Sequence, residues 1–408
     1  MNNKDKSSVL FISLNPHQRK YFHRLGASLK DQYDVHYIHY GVSDLIGALR
    51  KPALPEIVAF TQGELAVMLR FLLLKAKNRK FTGFRAWMHS QAVLESQAHY
   101  ATLYFYEYIR RYNIELVCVW NGTLIPLASA ARVARKLGKK TVFFENGYLP
   151  STTTVDPQGV NNQNSLVGKP RSFYDAIVPD RELLDNLYQG TASIRALKTK
   201  WYQRLIKKKP AGQPETFLMP ERFVFLPFQV HDDTQVLLHS PNIKTMETLV
   251  DFVIDAVKKY NLAHNADLWI IAKEHPSDFG RVDYTSVQEK YRNEKILFLR
   301  YYPTPELIKR SCGVITLNSS VGIEALVQHM PVITLGNAFY NVEGLVCHVT
   351  EPEKLHDSLS FVDNDPDHGL IDQFLYYLRY CYLAQGSWRQ PDEEHYQSVA
   401  KKIAEVVQ

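Results

Sequence analysis

Gly313-Val-Ile-Thr-Leu-Asn-Ser-Ser-Val-Gly-Ile-Glu-Ala-Leu326, followed by His329-Met-Pro-Val-Ile-Thr-Leu335, reads as a buried strand, a small polar turn, a short helix and a second buried strand. Short continuous apolar runs suit strands covered on both faces, so this stretch points to a parallel sheet lined with helices. The turn Asn318-Ser319-Ser320 places hydroxyls and backbone N–H groups where the helix begins. The first amides of a helix lack partners and its dipole adds positive potential, so an anion such as a nucleotide phosphate fits there. Glu324 stands four residues after Ser320, one too far for a reciprocal capping box, and a carboxylate at that point can accept hydrogen bonds from ribose hydroxyls. The same residues also describe an ordinary capped βαβ unit.

The alternation extends in both directions. Val9–Leu14, Val35–Tyr40, Leu116–Trp120 and Thr141–Phe144 read as strands in the first half, and the region from about 43 to 112 is helical in pattern. Phe223–Leu226, Trp269–Ala272 and Ile296–Leu299 precede the opening segment in the second half. Between them, Thr245–Tyr260 carries Met246, Leu249, Val253 and Val257 on one helical face. The break at Lys207-Lys-Lys-Pro-Ala-Gly-Gln-Pro214 suits a linker. Three pieces are expected: a Rossmann-like domain over 1–212, a second over 213–365, and C-terminal helices over 366–408. The fold class is α/β, GT-B-like, with two doubly wound domains facing a cleft.

A chain of 408 residues exceeds one ordinary core, and 45% hydrophobic with 22% charged residues is globular rather than disordered. Twelve per cent aromatic, with 24 tyrosines, suits pockets for polar rings such as sugars. A net charge of +6 favours anionic partners, but the basic residues are not interleaved with aromatics as in a nucleic-acid module. The four cysteines form no CxxC pair and read as reduced. The polar start Met1–Ser8 leads directly into a strand, so no signal peptide is expected, and no apolar run approaches bilayer length. No cluster of carboxylates or His/Cys ligands has metal-site spacing, so neither a metal nor another cofactor is expected.

Three further strand ends carry candidate chemistry. Lys273-Glu-His-Pro276 would project Lys273 and His275 beyond a carboxyl edge, where both can donate to phosphate oxygens. Pro227-Phe-Gln-Val-His-Asp-Asp-Thr-Gln235 holds adjacent Asp232 and Asp233. One of the two can serve as nucleophile or base, or the pair is an exposed turn capping the next helix. Phe143-Phe-Glu-Asn-Gly-Tyr148 offers Glu145, with Gly147 allowing a tight turn or positive φ. The following 149–162 stretch reads as a long polar loop, suited to a carbohydrate acceptor or to a plain Ω-loop.

Taken together, Glu145-Asn-Gly147, Asp156-x-x-Gly-Val-Asn161, Pro227-x-Gln229 with Asp233-Thr-Gln235, His275-Pro276, Asn318-Ser-Ser320 and Ala338-Phe-Tyr-Asn-Val-x-Gly-Leu345 resemble the bacterial capsule polysaccharide biosynthesis proteins. More narrowly, they look like the β-Kdo transferases, Kdo being an eight-carbon acidic sugar. The resemblance runs from about residue 8 to 350. It implies a GT-B-like enzyme using CMP-β-Kdo, which builds the Kdo linker between capsular polysaccharide and a lysophosphatidylglycerol terminus at the inner face of the cytoplasmic membrane. By similarity, His275 and Ser319-Ser320 would bind the CMP phosphate and Glu324 the cytidine side, with Lys273 and Asn318 counted among the donor-binding residues from their strand-end positions. Gln229 and Asp233 stand at the family's spacing, which implies Asp233 as nucleophile of a retaining reaction and Glu145 as acid/base. One departure is Asn15-Pro16-His17-Gln18, where a glycine-rich first turn is expected on the acceptor side.

Two basic stretches, Leu65–Lys80 and Ile194–Lys209, have apolar residues opposite Lys/Arg, suited either to an anionic membrane surface or to packing on the core. The partners expected are a CMP-sugar donor, a glycolipid acceptor, anionic lipid and other capsule-assembly proteins, with no nucleic acid. The protein is expected to be cytoplasmic and peripheral. Alternatives are another CMP-sugar transferase of sialyltransferase type, or a non-catalytic capsule assembly or export component.

Overall fold

The computed structural model describes residues 6–41, 51–190 and 218–407. The apolar runs become strands, as their burial requires. β1 (Ser8–Ser13), β2 (Asp34–His39), β3 (Leu116–Trp120), β4 (Lys140–Asn146) and β5 (Thr152–Asp156) belong to one six-stranded sheet. β6 (Phe223–Pro227), β7 (Trp269–Lys273), β8 (Ile296–Leu299), β9 (Gly313–Thr316), β10 (Val332–Thr334) and β11 (Cys347–His348) form a second. A last short strand, β12 (Ala384–Gln385), returns to the first sheet.

The first sheet runs β12-β5-β4-β3-β1-β2, parallel from β2 to β4 and antiparallel at β5 and β12. The second runs β11-β10-β9-β6-β7-β8 and is parallel throughout. Both are doubly wound Rossmann-type units, so the chain is α/β with two such units. The expected helical region appears, within the described residues, as Gln62–Asn78, Gly83–Met88 and Gln91–Arg111.

By contacts the chain divides into Met1–Ser165 with Tyr382–Gln408, and Leu166–Cys381. The sequence reading drew its boundaries at 212/213 and 365/366, and this division differs for a packing reason. The helix Glu393–Val407 buries Val399 and Ile403 in the first unit's core, and β12 hydrogen-bonds along β5. The expected linker 207–214 and the basic stretch 194–209 lie outside the described residues.

The polar 149–162 stretch is not a plain loop, because it contains β5, all five residues of which are buried. Its hydroxyls disguise it. Thr152 Oγ1 donates to Leu149 O (2.5 Å), Thr153 Oγ1 to Gly386 O (3.0 Å) and Thr154 Oγ1 to Asn146 O (3.1 Å), so a β-branched strand is buried with its polar atoms satisfied.

Candidate functional site

In the second unit the strand order reverses direction between β6 and β9, which are hydrogen-bonded neighbours. Connections leave these two strands toward opposite sides, opening a crevice beyond their carboxyl ends. The loops after β6, β7 and β9 carry most of the residues singled out in the sequence.

The loops after β6 and β9 are stapled together. Gln229 Nε2 donates to Asn318 Oδ1 (3.0 Å), and Gln229 Oε1 accepts from the Asn318 amide (3.2 Å) and the Thr316 hydroxyl (3.4 Å). Asn318 Nδ2 points at the carbonyls of Gln235 (3.0 Å), His239 (3.2 Å) and Asn337 (3.3 Å). Both side chains are buried, 6% exposed each, and they act here as positioning groups between loops. Gly336 lets this happen: a Cβ there would meet Asn318 Nδ2 at 3.3 Å and the Leu317 and His239 carbonyls at 3.2 and 3.3 Å.

Beyond the staple the loop after β9 turns outward. Ser319 Oγ accepts from the Val321 amide (3.1 Å) and Ser319 O accepts from the buried Tyr340 hydroxyl (2.5 Å). Ser320 is exposed, and its side chain makes no capping hydrogen bond to the helix Val321–Leu326. Glu324 is half-buried in the first turn of that six-residue helix. Tyr340 and Asn341, from the 338–345 motif, buttress the loop: Asn341 Oδ1 accepts from Thr334 Oγ1 (2.8 Å) and its Nδ2 donates to Gly336 O (3.0 Å).

The two adjacent aspartates have different surroundings. Asp232 is 3% exposed and paired with Arg281 (3.1 Å), next to the buried Asp278 that accepts from the His231 ring (3.0 Å) and amide (3.1 Å). Asp233 is exposed; its Oδ1 accepts from the Thr234 hydroxyl (2.9 Å) and, at 3.5 Å, from the Gln235 amide as it caps the helix Thr234–Leu237. A carboxylate held in a buried ion pair is a poor reagent, so the structure leaves Asp233 as the accessible one.

Two imidazoles feel the Asp233 charge. Burial pushes the His275 and His239 pKa values down, and Asp233 acts against that shift in both. At His275 the Asp278 charge also acts against the shift and Lys273 acts with it; at His239 Lys244 acts with it. His275 Nδ1 accepts from the Ser277 amide (3.1 Å), so that nitrogen carries no proton and the ring hydrogen sits on Nε2 as a donor. Lys273, 4% exposed, donates to Thr304 Oγ1 (2.7 Å). Among the described residues, Gln235 Nε2 and Ser240 Oγ are buried without a protein partner; a polar ligand or ordered water satisfies such groups.

Glu145 belongs to the first unit, at the end of β4. Its Oε2 accepts from Asn121 Nδ2 (2.7 Å), and its Oε1 accepts from the Asn146 amide (2.9 Å) and Nδ2 (3.0 Å), so three donors orient it. Asn121, after β3, takes φ +63° to reach it. Gly147 does not have positive φ; its glycine is required because a Cβ would come within 1.9 Å of Thr152 Oγ1. Asp156, read as a motif residue, is fully buried. It collects the Gln158, Gly159 and Ser165 amides and the Ser165 and Tyr382 hydroxyls between 2.6 and 3.0 Å. Asn15 accepts from the Gln18 amide (3.0 Å) and caps the helix Pro16–Leu29.

Sequence reasoning missed His239 and Ser240. They lie in the His239-Ser-Pro turn after a four-residue helix, and a His-Ser pair before proline was the only available sign.

Residues 178–388 match the profile of a family described as capsule polysaccharide biosynthesis protein. The protein FixF of Sinorhizobium fredii is 33% identical over 290 residues, which cover 71% of this chain and 65% of FixF, so the match spans a little under two thirds of that relative. The capsule polysaccharide export protein KpsS of Escherichia coli is 26% identical over 66% of this chain and 78% of its own length. Among solved structures, the KpsC beta Kdo 2,7 transferase of Thermosulfurimonas dismutans aligns over 98% of this chain and all of its own, with 12% identity and a TM-score of 0.44. With a family profile spanning more than half of its residues, the crossover loops of the second unit included, this chain belongs to the capsule polysaccharide biosynthesis proteins.

Proposed function

We propose that this protein is a glycosyltransferase of capsule synthesis that moves Kdo from CMP-β-Kdo to a glycolipid acceptor. The acceptor would be (lyso)phosphatidylglycerol or a Kdo-terminated glycolipid, presented on the anionic inner face of the cytoplasmic membrane. The observation that carries the reading is an exposed Asp233 in the loop after β6, which is stapled to the loop after β9, with Lys273 and His275 at the end of the adjacent strand β7. Family membership supplies the capsule context.

In this mechanism a carboxylate oxygen of Asp233 bonds to the anomeric carbon while the bond from that carbon to the CMP phosphate oxygen breaks. CMP leaves with the electron pair, its phosphate met by Lys273, by His275 Nε2–H and by Ser319 and Ser320, the turn that Asn318 positions. Glu324 accepts from the ribose hydroxyls. The acceptor hydroxyl then displaces Asp233 and gives its proton to a base, the role that the family resemblance assigns to Glu145, so two inversions retain configuration. Gln229 acts by keeping the two loops in register. The residues that face the phosphate are a cation and hydrogen-bond donors, so the step needs no metal or other cofactor.

Purified protein is incubated with CMP-Kdo and a lipid acceptor, following CMP release and product. Asp233→Ala is expected to lose transfer by at least a thousandfold while unfolding within about 1 kcal/mol of wild type, since only a short helix loses its cap. Withholding acceptor should yield a Kdo-sized mass adduct. Full activity of Asp233→Ala refutes the mechanism. A CMP-sialic acid arm in the same assay separates the sialyltransferase-type reading. A second reading, a non-catalytic export component, is favoured by the name of the KpsS relative; it predicts no CMP release and tolerance of changes at Asp233 and His275.

A further inference from the structure

Of the two roles open to the stretch Leu65–Lys80, lipid contact or core packing, the helix Gln62–Asn78 takes the second with most of its apolar stripe. Leu65, Met68, Leu72 and Leu73 pack around buried Leu69, Leu94 and Ala98. The exposed apolar surface lies one helix further on. Phe84 is 73% exposed and Trp87 47% exposed, three residues apart on the helix Gly83–Met88, with ring centroids 5.5 Å from each other. The turn that carries them out of the preceding helix uses positive φ at Lys80 (+49°) and Gly83 (+55°), and a Cβ at Gly83 would meet nothing within 4 Å.

The charge in the sequence flanking this pair, from Glu64 to Glu95, is one-sided between those two acids. From Leu65 to Leu94 the sequence holds Arg70, Lys75, Lys77, Arg79, Lys80 and Arg85, and no aspartate or glutamate. Aromatic residues and arginine also suit a protein interface, but a run of six cations with no acidic residue between Glu64 and Glu95 favours an anionic bilayer over it. A bilayer with anionic headgroups suits both features, since tryptophan and phenylalanine settle at the headgroup boundary and cations sit at the phosphate level.

We propose that Gly83–Met88, with the basic turn 79–82 before it, is the membrane-docking element of this protein. Phe84 and Trp87 enter the boundary between headgroups and acyl chains, while Arg79, Lys80 and Arg85 face anionic phosphates. The proposal deepens the glycolipid-acceptor reading and rests on it only for the purpose of docking: an enzyme that captures its acceptor from a bilayer gains from being held at the surface.

The test uses the full chain and co-sedimentation with vesicles of phosphatidylcholine alone or with about one third phosphatidylglycerol, at low and near-physiological salt. Binding is expected to the anionic vesicles only and to weaken with salt. Each cation removed among Arg79, Lys80 and Arg85 should weaken partition about fivefold, the ratio that corresponds to about 1 kcal/mol per basic residue. Phe84→Ser with Trp87→Ser should weaken it by tenfold or more with an unchanged unfolding midpoint. No sedimentation of wild type with either vesicle overturns the proposal. So does equal binding by the double variant, or a self-association that the double variant abolishes while vesicle binding persists. Transfer to a short acceptor lacking a lipid tail is read in parallel. Activity there with no vesicle binding removes the docking element and spares the transferase reading; the reverse removes the transferase reading and spares the docking element.

Discussion

Replacing Asn318 with aspartate preserves the side chain's volume and deletes its donors. Three carbonyl oxygens, those of Gln235, His239 and Asn337, lie 3.0 to 3.3 Å from Nδ2. An NH₂ group has two hydrogens, so about two hydrogen bonds are lost, at about 1 kcal/mol each. A carboxylate oxygen would then face the same carbonyls with 6% exposure, adding about 1–2 kcal/mol for acceptors left opposed in a dry site. The expected cost is about 3–4 kcal/mol, a few hundredfold in the folding equilibrium and a large share of a typical domain's stability. Urea unfolding of Asn318→Asp beside wild type measures it. Burial raises the new carboxyl's pKa above its unfolded value, so the folded state takes up the proton first and the deficit against wild type shrinks on acidification. If Asn318 were instead a ligand-facing group with no structural duty, the variant would unfold within about 0.5 kcal/mol of wild type and lose only donor affinity. That result would refute the staple.

Gly147→Ala places a methyl 1.9 Å from Thr152 Oγ1 and 2.5 Å from the Thr152 carbonyl carbon. A loss of about 2–3 kcal/mol and a lower melting temperature are expected, and an unchanged one refutes the close approach. Burial lowers the pKa of His99, His239, His275, His329, His348 and His395 below the ordinary 6.5. As pH falls below that value the unfolded chain binds protons that the folded chain refuses. Stability is therefore full above about pH 6.5 and declines below it, and a urea midpoint that stays flat between pH 7.5 and 5.5 contradicts this.

The two Rossmann-type units were legible because parallel strands buried on both faces leave continuous apolar runs, such as Val9–Ile12 and Val224–Leu226. The second unit's site loops were legible because the crossover rule places chemistry at strand ends. Gln229 and Asn318 were visible as polar groups at such ends, but that each faces the other across 89 positions of sequence is a property of the folded sheet. β5 escaped notice because three consecutive threonines look like a loop until their hydroxyls find backbone carbonyls. That Asp232 is buried against Arg281 while Asp233 is exposed was not legible, because Arg281 lies 48 residues beyond Asp233 in the chain.

The first unit is assembled from two segments that flank the second unit in sequence, with Tyr382 reaching Asp156 and β12 covering the edge of β5. A ribosome therefore delivers the amino-terminal sheet long before its final strand and helix. During that interval β5 presents an open edge, a template for pairing with a neighbouring nascent chain. The second unit, continuous in sequence, can consolidate while the first waits, which makes the later-made segment from Tyr382 the latch on the earlier one.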